Sequence, residues 1–178
     1  KQLAETDRVF FLSLISLLTQ AVIRHVDNQI QGGAEAIQIF DSWAGVLGEE
    51  AYRDWVVKPS KAIVKEIKAR HPHIPIIGFP RQSGIKFLEF ARETGVDAIS
   101  FDGSVPLDWV KRELQPLAAV QGALENTLLA DNREAMLAEA GKIRASLQDK
   151  PFVFNLAHGI LPHTPVEHMS ALCDFLRQ

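Results

Sequence analysis

The sequence predicts an α/β fold, a parallel sheet covered by helices. Three observations carry this. Stretches of strand and helix character alternate about five times along the chain. The strand-like stretches are continuous apolar runs rather than alternating ones, as strands buried on both faces require. Each run also breaks abruptly into polar, glycine or proline residues, and that is the end of a parallel strand where α/β proteins build their sites.

The elements follow in order. Residues 5–30 have helical periodicity, with Phe10, Leu14, Leu17, Leu18, Ala21, Val22 and Val26 on one broad face. Thr6-Asp7 offers a start signal, and Gly32-Gly33 stops the helix. A strand over 36–40 ends in Asp41-Ser42-Trp43-Ala44-Gly45. A second amphipathic stretch, 52–69, turns Val56, Val57, Ile63, Val64 and Ile67 inward, and Pro59 imposes a kink or break because it has no N–H to donate. The strand over 74–79 ends in Pro80-Arg81, and the helix over 83–94 closes at Gly95. Strand 98–101 gives way to Asp102-Gly103-Ser104, and Pro106 opens a short helix to 114. Strand 117–120 ends in Gln121-Gly122, before a helix over 131–147. The last apolar run, 152–154, breaks into Asn155-Leu156-Ala157-His158-Gly159, and a helix over 165–176 follows.

Composition bounds the function. The 178 residues support one domain with a sizeable core, and 47% apolar with 23% charged content is that of a globular protein. A net charge of −3 without any Lys/Arg run leaves no nucleic-acid footprint, so no nucleic-acid partner is expected. The single cysteine, Cys173, excludes an internal disulfide and a multi-cysteine metal site, in keeping with a cytoplasmic setting. The most apolar segment, 9–18, is too short to span a bilayer and contains Ser13 and Ser16, so no membrane partner is expected. The sequence starts at Lys1 and runs at once into a helix, which reads as the middle of a longer protein.

If the strands are parallel, Asp41, Ser42, Arg81, Asp102, Gln121, Asn155 and His158 converge on one mouth. Gly33, His73, Val96, Gln115 and Lys150 then lie on the opposite, stability-determining face. The alternative is ordinary loop polarity. Spacing alone fixes no reaction, since no nucleophile–base pair is readable. His71 and His73, on either side of Pro72, read as solvated loop residues rather than metal ligands. His163 and His168 straddle a helix start without the spacing of a ligand pair. Cys173 reads as a buried structural thiol, and Gly32-Gly33 precedes a strand, so it is no dinucleotide loop.

Four blocks carry a resemblance. Gln38-Ile39-Phe40-Asp41-Ser42-Trp43-Ala44-Gly45, Asp102-Gly103-Ser104-Val105-Pro106-Leu107, Val120-Gln121-Gly122 and Phe154-Asn155-Leu156-Ala157-His158-Gly159-Ile160-Leu161-Pro162 resemble the uroporphyrinogen decarboxylase family, in order through nearly the whole chain. The resemblance implies a (β/α)8 barrel of the TIM type, of which residues 1–178 supply the C-terminal part, roughly the last five βα units. It implies a cofactor-free enzyme that takes the carboxylates off the four acetate arms of uroporphyrinogen III, giving coproporphyrinogen III for haem and chlorophyll synthesis. It also implies a cytoplasmic homodimer with facing clefts. By the matching motifs Ser42 and His158 contact the substrate, His158 is the catalytic candidate, and Phe40 lines the cleft.

Arg81 is added on chemical grounds, because a polyanionic substrate needs a cation near the mouth. Its competing roles are to cap a helix or to pair with Asp102. The chain also departs from the family pattern. The usual Gln-Gly-Asn-Leu-Asp-Pro is here Gln121-Gly122-Ala123-Leu124-Glu125-Asn126, and the usual Gly-His-Gly is Ala157-His158-Gly159. Ala123 loses an amide that could order the mouth, and Ala157 would resist a backbone with positive φ. The family's arginine-rich segment, central aspartate and substrate-side tyrosine belong to strands outside these residues, so the chain alone is expected to be an incomplete catalyst. Two other readings stand beside this one. A cobalamin-linked methyltransferase of the same superfamily would hold zinc through a His-x-Cys motif, where this chain has Gly78-Phe79-Pro80-Arg81. A non-catalytic tetrapyrrole-binding or structural module is the other.

Overall fold

A computed structural model describes residues 2–178. Among them five strands, β1 (Ile37–Asp41), β2 (Ile76–Pro80), β3 (Ala98–Ser100), β4 (Ala119–Leu124) and β5 (Phe152–Leu156), form one sheet. They lie in sequence order and every pair is parallel. An order that never reverses is that of an arc of a β/α barrel rather than of an open sheet with a switch point.

The arc is curled. Gln121 Nε2 on β4 donates to Gln38 Oε1 on β1 at 3.0 Å. In a flat sheet those strands would stand about 14 Å apart, at roughly 4.8 Å per step. Side chains perpendicular to a flat sheet would not meet across that gap, so curvature brings them together.

The helices cover the convex side. The convex strand positions Ile76, Ile99 and Val120 are fully buried, in one core with Ile67, Phe87, Leu114, Met136, Ile143 and Leu147. α1 (Gln2–Thr6) leads to α2 (Arg8–Gln31), which Asp7 caps by accepting the Phe10 N–H at 2.9 Å. The expected apolar face of α2 is only partly covered. Val26 is buried together with Ile23, but Phe10, Leu17 and Leu18 are 55, 61 and 51% exposed. The expectation drawn from residues 9–18 also needs widening, since α2 as a whole is long and apolar enough, by length and composition only, to cross a membrane.

The expected helix over 52–69 is α3 (Glu49–Tyr52), a wide π turn (Arg53–Val57) and α4 (Lys58–Arg70). The Lys58 N–H reaches back to the Arg53 carbonyl. Pro59 cannot donate to the next carbonyl in the ladder, so the wide turn sits where the α pattern is already broken. α5 (Phe87–Thr94) closes at Gly95 with φ 74°, as expected. Pro106 stands one residue before α6 (Leu107–Trp109) instead of inside it.

The largest departure is β4. It runs on through Gln121 and Gly122 to Leu124, so Gln121 is an inner residue of the strand and not its end. Gly122 permits this, for a Cβ there would stand 2.6 Å from the Phe101 carbonyl oxygen, at φ 142°. β4 is followed by α7 (Asn126–Asp131) and α8 (Arg133–Leu147), and β5 by α9 (Val166–Leu176).

Two other expectations need correction. His71 is half-buried, with Nε2 2.6 Å from Asp27 Oδ1, and so ties the end of α4 to α2 instead of sitting in solvent. Cys173 is half-buried, and its neighbour Leu172 takes the core position.

Candidate active site

The concave side of the arc alternates with the core side, as strand geometry demands. Gln38, Phe40, Phe79, Ser100, Gln121 and Asn155 belong to it. Gln121 Nε2 donates to Ser100 Oγ as well as to Gln38, so a small amide–hydroxyl cluster forms its floor. Above that floor Phe40 meets Phe79 edge-on, with ring centroids 6.0 Å apart.

The strand ends are stitched to one another through backbone groups. The Arg81 N–H donates to the Asp41 carbonyl at 3.0 Å, and the Gly45 N–H donates to the Arg81 carbonyl at 3.0 Å. The Asp41 carboxylate turns back on its own loop and accepts the Trp43 N–H. Asp102, only 5% exposed, accepts from the Gln82 N–H at 2.6 Å and from the Ser104 N–H at 3.0 Å. Both its oxygens are thus engaged by backbone, and its role is to shape the loops.

Gln82 is the one non-glycine residue at positive φ (57°) among the described residues. Gly45 lies against it so closely that a Cβ would stand 2.2 Å from the Gln82 carbonyl oxygen. Ala157 is not at positive φ, so the strain expected of it does not arise.

This frame presents the predicted residues. Arg81 is half-buried, and its guanidinium makes no hydrogen bond or ion pair among the described residues. The competing roles, a helix cap or a pair with Asp102, are not the ones it plays. Arg81 and His158 both line two adjoining cavities. One, about 420 Å³, is polar, with Asp102, Ser104, Glu125 and Asn126 around it. The other, about 350 Å³, opens onto Gln38, Phe40, Ser42, Phe79 and Asn155. The His158 Nδ1 accepts the Gly159 N–H at 2.8 Å, which leaves Nε2 to carry the proton of the neutral ring.

Phe40, Ser42, Arg81, Asn155 and His158 therefore share one mouth, and Gln121 lies beneath it. Gln38, Ser100 and Asn126 are not among the site residues expected from the sequence. The first two had a readable signal, a polar residue at an inward position of an apolar strand. Asn126 had none, because its partner is 33 residues away. No group of three or more His, Cys, Asp and Glu side chains gathers among the described residues.

A curled parallel arc with polar groups collected at its carboxyl ends defines a β/α-barrel-type protein. The family model described as uroporphyrinogen decarboxylase (URO-D) matches residues 1–178. The chain belongs to that family. It is 42% identical over 176 residues to a uroporphyrinogen decarboxylase of Jannaschia sp., a match covering 99% of this chain and 51% of the relative. It is 42% identical over 167 residues to one of Rhodospirillum rubrum, covering 94% and 48%. The chain thus spans about half the length of the curated relatives it matches. Among solved structures it superposes on a methyltransferase from Methanosarcina mazei with a TM-score of 0.73 at 19% identity, over 88% of this chain and 46% of that one. At that identity the likeness speaks for the fold alone.

Proposed function

We propose that residues 1–178 form the C-terminal portion of one barrel domain, and that its mouth binds uroporphyrinogen III for decarboxylation of the four acetate arms to coproporphyrinogen III. The observation that carries this reading is Arg81. A guanidinium held half-buried without a partner at the junction of two cavities is costly unless an anion joins it, and a carboxylate-rich substrate supplies one. Family membership points the same way.

The chemistry asks for little else. A proton added to the pyrrole α-carbon next to the carbon bearing the acetate makes the ring an electron sink. The bond to the carboxylate breaks, its electrons enter the ring, and carbon dioxide leaves. The exocyclic carbon then takes a proton and the ring gives one back, so each arm exchanges CO₂ for one proton. His158 is the proposed catalytic residue, offering its Nε2–H to a substrate carboxylate or to the proton path. Ser42 donates a hydroxyl, Arg81 anchors an acetate, and Phe40, 65% exposed, offers an apolar face to the macrocycle.

Further carboxylates call for further cations, so the arc is read as incomplete on its own. Trp43, Val46 and Ile85 are 74, 53 and 75% exposed beside the mouth. This supports a facing second copy, and the protein is read as a homodimer; a cytoplasmic location rests on the family resemblance. Chromatography of tetrapyrroles after incubation with the intact protein tests the proposal. Stepwise loss of carboxylates is the expected result, whereas tight binding with no loss would turn the reading into that of a non-catalytic tetrapyrrole module.

A further inference from the structure

The loop that carries His158 is held by very little. The last rung of the sheet beyond β5 is the Ala157 N–H to the Leu124 carbonyl, at 2.8 Å. Between there and His163, one hydrogen bond among the described residues reaches another element. Asn126 Nδ2, at the start of α7, donates to the Gly159 carbonyl at 2.7 Å. Packing adds nothing at this point, since nothing lies within 4 Å of where a Gly159 Cβ would be.

Gly159 is the freest kind of backbone hinge. The peptide before its Cα donates its N–H to His158 Nδ1, and the peptide after it is gripped by Asn126. Together these bonds arrest rotation on both sides of the hinge. Without the Asn126 bond the turn loses its one tie to another element among the described residues, the 158–159 peptide is free to swing about His158 ψ, and the ring is then no longer committed to carrying its proton on Nε2. The partner of one imidazole nitrogen sets which nitrogen bears the proton.

We propose that Asn126 is a positioning residue for His158, fixing its tautomer through the Gly159 hinge. The inference rests on reading His158 as the proton-bearing group of the mouth, and its test has a readout that needs no turnover. Asn126→Pro deletes the donor while suiting the first position of α7, where proline is favoured and the N–H is unused. Asn126→Ala deletes the donor without a ring, should proline disturb the loop.

The measurement is nitrogen NMR of the histidine rings in the intact protein, at a pH where they are neutral, with His158 assigned from His158→Gln. In the unaltered protein Nδ1 is expected at its unprotonated position and Nε2 at its protonated one. In both variants the two signals should move toward the exchange average, and kcat should fall roughly three- to tenfold with KM little changed. Ring signals that stay as in the unaltered protein in both variants would overturn the proposal. If the unaltered protein turns over no uroporphyrinogen but the variants still shift the ring signals, the Asn126 clamp stands and the decarboxylation reading falls.

Discussion

At the scale of single residues, Arg81 and Asp102 divide the work. Arg81 has no partner among the described residues, so Arg81→Met should leave the stability of the unliganded protein the same or higher and raise KM for uroporphyrinogen about 10- to 100-fold, the worth of one charge-assisted hydrogen bond. Steady-state kinetics beside a denaturant titration separates the two effects. Asp102 works through the backbone. Asp102→Ala strands the Gln82 and Ser104 N–H groups and should cost about 1–3 kcal/mol of stability, with KM rising as the Arg81 turn loosens. Gly45 sets a steric limit on the same turn. A methyl there meets the Gln82 carbonyl, so Gly45→Ala should lower the denaturation midpoint by an amount equivalent to about 1–3 kcal/mol.

At the scale of elements, the two faces of the sheet make opposite predictions. Ile99 points into the helix layer with no exposure, and Ile99→Ala should cost about 2–5 kcal/mol. Val153 points to the concave side and is 48% exposed, so Val153→Ala should stay within about 0.5 kcal/mol of the unaltered protein. Urea titrations of the pair report which face is the core.

What the sequence made legible follows the same division. Asp7, Gly95 and Pro59 act within a few residues of themselves, and each marks a helix start, stop or break where expected. The convergence of Ser42, Arg81 and His158 was also legible, because parallel strands put every carboxyl end on one side. β4 was cut short because Gln121 and Gly122 have the polarity and freedom of a turn. In the protein Gln121 finds partners on β1 and β3, and Gly122 fits under Phe101. Such partners come from distant parts of the chain, and so does the Asn126–Gly159 bond. Local pattern carries no trace of them.

At the scale of the whole molecule, one buried phenol shapes the alkaline limit of stability. Burial pushes the Tyr52 hydroxyl well above its ordinary value, and the ring is fully enclosed with the Lys86 ammonium 4.7 Å from its centroid. The folded state thus favours the neutral phenol more than the unfolded state does. Its contribution is complete below a pH of about 10, where an unfolded tyrosine titrates, and is lost as pH rises beyond that. Tyr52→Phe should therefore flatten the fall in stability above that pH, as read from thermal midpoints across the alkaline range.

The arc as a whole turns an exposed concave face and two strand edges outward, with its polar residues at one end. The central claim is that this end binds a carboxylate-rich tetrapyrrole. The most direct test is backbone-amide NMR of the intact protein titrated with coproporphyrinogen under reducing conditions. The account predicts that residues 40–45, 81–84, 102–104 and 157–160 shift together, while 33–36, 72–75 and 115–118 at the opposite end stay still. Shifts confined to that opposite end or to α2, or no saturable shift at all, would contradict it.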